Sequence, residues 1–146
     1  MATMEFQTQI NAPPEKVFAY VSDLEKHAEW AHLKEIKKTS EGPVAVGVTY
    51  ESHGEGPMGT TTNDKVEVTH YQPSVRFGWR SSGPMSMQFN WSFELQPKDG
   101  GTLLIERLNP PGGLLPTIIG ALFANRETRK AMPQGLAKIK ERLEAS

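Results

Sequence analysis

Apolar and polar residues alternate along most of the chain, and this pattern predicts a series of β-strands. The clearest example is the segment 87–95, where Met, Phe, Trp, Phe and Leu occupy every second position. Alternation with period two places one set of side chains on a single face of a sheet, as in a strand with one buried face. Similar patterns predict six further strands, at residues 4–10, 34–40, 46–54, 60–70, 75–80 and 102–108.

Short segments rich in Gly, Pro, Asp and Ser separate most of these predicted strands. Examples are Glu41-Gly42-Pro43, Gln72-Pro73-Ser74 and Pro97-Lys98-Asp99-Gly100-Gly101. Tight turns of this composition join neighbouring strands that run in opposite directions. The sequence therefore predicts an antiparallel sheet.

Helical patterns occur in two places, between the first two strands and at the C-terminus. Residues 15–30 are interpreted as two short helices, the second starting at a capping box, Ser22-Asp23-Leu24-Glu25. Residues 114–144 are interpreted as one long helix that Pro133 kinks. Its apolar stripe is interrupted in the middle by two polar residues, Asn125 and Arg129.

These elements predict an α+β fold in which one long helix covers the apolar face of an antiparallel sheet. A chain of 146 residues is long enough to bury a substantial core. Residues 1–146 contain no repeat, linker or low-complexity segment, so we expect a single domain.

Composition and charge exclude several classes of function. The chain has no cysteine, which excludes disulfides and thiolate chemistry, and its formal net charge of −1 gives no reason to expect nucleic acid as a partner. The N-terminus has no signal-peptide pattern, and no apolar run is long enough to span a bilayer. We therefore expect a soluble cytoplasmic protein with no integral membrane segment.

Several short motifs, taken in order, resemble the START-like (SRPBCC) superfamily, in particular its polyketide cyclase/dehydrase and lipid-transport-like branch. They are the segment Ile10-Asn11-Ala12-Pro13-Pro14-Glu15-Lys16-Val17-Phe18, the pair Asp23-Leu24 with Trp30, the motifs Glu41-Gly42-Pro43 and Val46-Gly47-Val48, and the hairpin Asp99-Gly100-Gly101-Thr102. The resemblance extends over essentially the whole chain. It is specific for the fold and not for the function, because this fold carries many functions.

The resemblance implies a helix-grip fold, in which a curved sheet of seven antiparallel strands wraps around the long C-terminal helix. It also implies a cavity between sheet and helix for a small hydrophobic ligand. No residue of the family is a universal catalyst, so the resemblance assigns no catalytic residue and implies no cofactor.

Two sequence features that suggest other chemistry have simpler explanations. Residues 54–59 match the letters of a dinucleotide-binding glycine motif, but a predicted strand follows where that motif needs a helix, so we interpret them as a flexible hairpin. The four histidines show none of the close spacings of metal ligands, so no metal site is expected. His70 shares its parity with Val66 and Val68 and is expected to face inward, as a core residue rather than an acid or base.

The candidate binding site consists of residues expected to face the interior. The sheet contributes five aromatic residues, which we call the aromatic wall, together with one aliphatic residue and one carboxyl group. The aromatic residues are Tyr50, Phe77, Trp79, Phe89 and Trp91, and the other two are Val68 and Glu106. From the helix they are Leu115, Ile118, Ile119, Leu122, Asn125 and Arg129. Large aromatic surfaces with a few polar groups are typical of pockets for small molecules.

The pattern around Glu106 allows two registers, because the last strand is apolar on both faces. One register turns Glu106 inward, where Arg129 and Asn125 are candidate partners; the other turns Arg107 inward. A buried carboxylate is costly unless it is paired, so an inward Glu106 would point to a polar anchor for a ligand carbonyl or hydroxyl.

Three functional hypotheses follow. The first is binding or carriage of a lipid, polyketide or similar small hydrophobic molecule. The second is a cyclase, dehydratase or isomerase that uses Glu106, His70 or Tyr50 as acid or base. The third is a co-chaperone-like interaction module, in which Leu114, Leu115 and Met58 form an apolar patch that could instead support a homodimer.

Overall fold

The computed structural model describes residues 4–31, 33–55, 61–82, 88–109 and 129–145. Seven antiparallel strands form one sheet in the order β1-β7-β6-β5-β4-β3-β2, with each consecutive pair joined through backbone hydrogen bonds. The strands are β1 (Met4–Ile10), β2 (Leu33–Lys38), β3 (Thr49–Glu55), β4 (Thr61–Gln72), β5 (Arg76–Ser82), β6 (Gln88–Lys98) and β7 (Gly101–Asn109). The predicted antiparallel sheet is confirmed.

Three helices accompany the sheet in the described part of the chain. Helix α1 (Pro14–Val21) and a 3₁₀ helix (Leu24–Glu29) lie between β1 and β2, and α2 (Arg129–Ala145) lies at the C-terminus with Pro133 inside it. Together with the sheet they form the predicted helix-grip fold. Residues 114–128 of the predicted long helix lie outside the described residues.

Helix α2 is held against the sheet by an apolar stripe and by polar contacts near its end. The side chains of Leu136, Ile139 and Leu143 are buried in the main core. The Nζ of Lys140 donates a hydrogen bond to the carbonyl oxygen of Gln9, with the two atoms 2.6 Å apart. The periodic apolar positions of the second half of the predicted helix are therefore confirmed as core positions.

The capping-box prediction is wrong. Ser22 is the C-cap residue of α1, and its backbone N–H donates to the carbonyl oxygen of Phe18. The 3₁₀ helix is preceded instead by Asp23, whose side chain makes no capping hydrogen bond. The motif is present in the sequence, but Ser22 caps the C-terminus of α1. The N-cap position of the 3₁₀ helix is Asp23, one residue after Ser22.

Two predicted strands begin later than the apolar pattern indicated. Val46 and Val75 are 62% and 53% exposed, because both lie in the connections that precede β3 and β5. Gly47 has φ of 93°, a left-handed conformation that interrupts an extended strand. An apolar residue at the right parity was therefore not sufficient to place a residue in a strand.

A register shift in β4 reverses the orientation of its last residues. Val68 pairs with Trp79 of β5, but the next paired residue is His70, opposite Gly78, followed by Tyr71 opposite Phe77. Such a bulge inserts one extra residue into one strand and changes which side chains face inward. Tyr71 consequently packs against Phe18 and Phe77 in the interior.

Candidate functional site

The inner face of the sheet, which packs against α2, carries the predicted aromatic wall. Tyr50, Phe77 and Trp79 are buried, as is Val68, whereas Phe89 and Trp91 are half-buried. These side chains lie at alternating positions of β3, β4, β5 and β6 and share one face through the observed pairing. Their inward orientation is confirmed, and their role in ligand binding stays a prediction.

The tryptophans form the centre of this wall. The rings of Trp79 and Trp91 stack with their centroids 6.0 Å apart and their planes 4° apart. The indole N–H of Trp91 donates a hydrogen bond to the Oγ of Ser81, at 3.2 Å. A half-buried tryptophan whose indole N–H is already satisfied offers an apolar surface to a ligand rather than a hydrogen bond.

Glu106 is the most unusual group on the inner face. Its side chain is only 2% exposed, and in the described part of the chain its Oε1 has no hydrogen-bond partner. It lies opposite Phe6 of β1 on one side and Phe93 of β6 on the other. The inward register of the last strand is therefore confirmed.

Burial determines the protonation state of Glu106. Removal from water raises the pKa of its carboxyl group from 4.5 to about 8, since the charged form loses hydration without gaining an opposite charge. Arg107, the next residue, points to the outer face and pairs with Glu5 and Glu94 at 2.6 and 3.1 Å. At neutral pH Glu106 is therefore mainly a neutral carboxylic acid, which has one O–H to donate.

Glu106 also lies at the junction of two apolar clusters. Leu104, two residues before it, belongs to the main core, while Leu108, two residues after it, packs with Met4 and Met132. Phe6, Phe89 and Trp91 are partly buried against this smaller cluster. The carboxyl group is thus a single polar position within a continuous apolar surface.

Of the two predicted partners of Glu106, Arg129 forms no ion pair with it, and Asn125 lies outside the described residues. Arg129 is exposed at the first described position of α2, and burial is the cause of the raised pKa of Glu106. The expected Glu106–Arg129 anchor is therefore wrong, because the arginine lies at the surface of the helix. Leu115, Ile118, Ile119, Leu122 and Asn125 lie outside the described residues, as do Leu114 and Met58.

Tyr50 faces inward as predicted, but the pKa of its phenol is raised. Burial, with smaller contributions from the carboxylates of Asp23 and Glu25, raises its pKa to about 12. The phenol therefore keeps its proton at neutral pH. It could donate a hydrogen bond to a ligand, but it is poorly suited to act as a base.

The expectation that His70 faces inward is wrong. The bulge in β4 turns its side chain outward, where it is exposed and its Nδ1 lies 3.0 Å from the Oγ1 of Thr69. Its position opposite Gly78 explains the close approach: a Cβ added to that glycine would lie 2.8 Å from the Nδ1 of His70. His70 is thus absent from the inner face and is no longer a candidate acid or base.

His27, which the sequence did not single out, is a buried histidine that packs against the aromatic wall from the interior. It is 2% exposed, and its ring lies 4.5 Å from that of Trp30 and 5.0 Å from that of Trp79, between centroids. Its Nε2–H donates to the carbonyl oxygen of Val21 at 2.8 Å. Burial lowers its pKa to about 4, so it is neutral at pH 7.

The inner face carries further polar groups that sequence analysis missed. Ser52 is buried, and Asp64, which lies opposite it on β4, has a buried Oδ1 with no partner among the described residues. Burial raises the pKa of the Asp64 carboxyl. Ser52 lies two residues after Tyr50, and Asp64 lies two residues before Val66, so the alternation of side chains could have placed both on the inner face. They were missed because they are polar.

A surface groove of about 610 Å³ lies over β3, β4 and β5, mainly on the outer face of the sheet. Its lining includes exposed charged residues such as Glu51, Lys65 and Glu67. Tyr50 also lines this groove, so the groove shares one described residue with the predicted binding site.

Within the described ranges, no cluster of His, Asp or Glu side chains is arranged to hold a metal ion. The same part of the chain contains no helix with the length and apolar character needed to cross a membrane.

Comparison with known proteins places the chain in a family. A family model described as polyketide cyclase / dehydrase and lipid transport matches residues 1–144. The chain belongs to this family. The family description covers both enzymes and carriers, so membership supports a role in hydrophobic ligand binding or cyclisation without choosing between them.

Several solved structures have the same fold, although the proteins carry different names. Protein CV1439 from Chromobacterium violaceum superposes with a TM-score of 0.73 at 17% identity, covering 99% of both chains. Ara h 8.0201 gives 0.71 at 15% identity, again covering 99% of both chains. The di-domain ARO/CYC StfQ from the steffimycin biosynthetic pathway gives 0.77 at 14% identity over 98% of this chain and 50% of its own. A comparison with curated protein sequences gives no match.

Proposed function

We propose that this family member binds a small hydrophobic molecule, such as a lipid or a polyketide, between the inner face of the sheet and the C-terminal helix. The observation that carries the proposal is Glu106, a buried carboxyl group without a described partner on an apolar and aromatic surface. A buried polar group is costly when its hydrogen bonds are unmade, and a ligand could supply the missing one.

The half-buried residues of the wall indicate where the ligand lies. Phe89 and Trp91 are less buried than their neighbours Phe77 and Trp79, so they offer apolar surface that the described chain does not cover. Both pack against the smaller apolar cluster of Met4, Leu108 and Met132, which lies next to Glu106. We place the apolar body of the ligand against these rings and its polar end at the carboxyl group.

Titration with the neutral dye Nile red, followed by displacement with lipids and aromatic polyketides, tests this proposal. We expect saturable binding and a change in tryptophan emission. The substitution Phe89→Arg places a charged side chain in the wall and should abolish binding. The matched control, Val75→Arg, adds the same charge at a position that is 53% exposed and should bind normally. No saturable binding to the native chain would refute the proposal.

An enzymatic role is the second candidate, and the raised pKa of Glu106 is the observation that favours it. A general acid works best when its pKa is close to the working pH. Glu106 would donate its proton to a ligand carbonyl oxygen while an enol carbon of the same ligand bonds to the carbonyl carbon. The enol hydroxyl proton would then return to the carboxylate, which completes the cycle.

Product analysis after incubation with a linear polyketone distinguishes carrier from cyclase. An enzyme should form cyclic product faster than buffer does, and Glu106→Gln should remove most of that acceleration, about a hundredfold or more. A carrier should bind the polyketone without changing its rate of cyclisation. Under either function we expect the protein to act in the cytoplasm.

A further inference from the structure

The surroundings of Glu106 contain no described positive charge to hold an anion. Its neighbours on the inner face are Phe6 and Phe93 across the strands and Leu104 and Leu108 along β7. The nearest arginine in sequence, Arg107, is on the outer face with its guanidinium engaged by two carboxylates. The other ion pairs of the described chain are formed by partly or largely exposed side chains.

This environment discriminates between polar groups on a ligand. A protonated carboxyl donates one hydrogen bond, and a carbonyl or phenol oxygen accepts it without adding charge. A ligand carboxylate would bring a negative charge into an apolar region where the described residues offer no cation to offset its lost hydration. The same surface that accepts a ketone should therefore reject a fatty acid anion bound by its head.

We propose that Glu106 makes the site selective for neutral hydrophobic ligands that carry a carbonyl or phenol oxygen, and against those that carry a carboxylate. The inference rests on the proposed function, because it names the class of ligand for that same site. It would separate this chain from carriers that hold an acidic head group through arginine or lysine.

Three naphthalenes of similar shape provide the test at pH 6.5: 2-acetylnaphthalene, 2-isopropylnaphthalene and 2-naphthoate. The ketone should bind about fivefold to tenfold more tightly than the hydrocarbon, the worth of one hydrogen bond in an apolar site. The carboxylate should bind at least about tenfold more weakly than the ketone. Displacement of Nile red measures all three on the same protein.

Variants of Glu106 separate the hydrogen bond from the charge. Glu106→Leu should erase the preference for ketone over hydrocarbon. Glu106→Gln keeps an N–H donor but cannot ionise. It should retain that preference and leave the gap between ketone and carboxylate unchanged, because the native carboxyl group is already neutral at this pH. Glu67→Gln, the same change at an exposed position on the outer face, should leave all three affinities unchanged.

The infrared carbonyl band of bound 2-acetylnaphthalene gives a readout on the native protein, which does not depend on a variant folding. A band shifted to lower frequency than in hexane supports the inference, and an unshifted band overturns it. Equal affinities for ketone and hydrocarbon, or a preference that survives Glu106→Leu, also overturn it. Nile red binding without any naphthalene binding refutes this inference alone, whereas absence of both refutes the proposed function.

Discussion

Replacing Glu106 by glutamine should change how the stability of the protein depends on pH. The pKa of this carboxyl group is about 8 in the folded chain, because of burial, against an unperturbed value of 4.5. Between these pH values the folded chain holds the proton and the unfolded chain has lost it. Folding therefore takes up a proton, and the free energy of unfolding falls as pH rises through this window.

The size of the effect follows from the difference between the two pKa values. One proton contributes about 1.4 kcal/mol per pH unit, so the ionisation of Glu106 by itself should lower the free energy of unfolding of the native chain by about 4 to 5 kcal/mol between pH 4.5 and pH 8. Glutamine does not ionise and should remove this loss entirely. At pH 8 the variant should therefore be several kcal/mol more stable than the native protein, while below pH 4.5 the two should have similar stabilities.

His27 has the opposite effect over part of the same range. Burial lowers its pKa to about 4 from 6.5, so the unfolded chain binds the proton between these values and stability rises with pH. From pH 4.5 to 6.5 the two contributions cancel, and the native chain should show a plateau followed by a decline to pH 8. In Glu106→Gln the rise from His27 should become visible, followed by a level region.

Urea denaturation at half-unit steps from pH 4.5 to 8, followed by far-ultraviolet circular dichroism, measures these curves. The difference between native and variant proteins isolates Glu106, since all other titrating groups are shared. Glu67→Gln, exposed on the outer face, serves as the control and should run parallel to the native curve. If Glu106→Gln also runs parallel, the carboxyl group is ionised in the folded state and the reasoning fails.

Three further substitutions test the fold around the site. Phe77→Ala empties a fully buried position and should lower the free energy of unfolding by about 3 to 5 kcal/mol in urea; a loss below 1 kcal/mol would mean that the wall is not tightly packed. Gly101→Ala forces a Cβ against the carbonyl oxygen of Ile10 and should cost about 1 to 3 kcal/mol by calorimetry, which an unchanged melting temperature would contradict. Arg107→Ala removes a surface ion-pair network and should cost about 1 kcal/mol or less, an effect that 1 M salt should reduce; a larger, salt-independent loss would show that packing dominates.

The sheet was predictable where side-chain alternation runs without interruption. Strand β6 shows this best, because Trp91, Phe93 and Leu95 face inward with polar residues between them. Strand β7 was harder, since Ile105 is 6% exposed although it lies on the outer face. The inward register of Glu106 was indicated only by similarity to the glycine hairpin of the family, and the observed pairing with β6 confirms it.

The failures have local physical causes that a single sequence does not display. The bulge in β4 depends on pairing between His70 and Gly78, two residues on different strands. The burial of His27 depends on the rings of Trp30 and Trp79, which only the folded chain brings together. Its position three residues after Leu24 was the one available signal, because residues at that spacing share a face of a 3₁₀ helix.

The energetics of Glu106 support the proposal that this residue serves ligand binding rather than the fold. A leucine or glutamine at this position would avoid the loss of stability above pH 4.5, and leucine would join the two apolar clusters that meet there. The carboxyl group makes no described hydrogen bond that would offset the free energy lost by its burial. A group that destabilises the folded protein at neutral pH, next to the partly exposed rings of Phe89 and Trp91, is typical of a binding or catalytic site. The native protein should therefore regain stability when a neutral, oxygen-bearing ligand occupies the site, and Glu106→Leu should gain less from the same ligand.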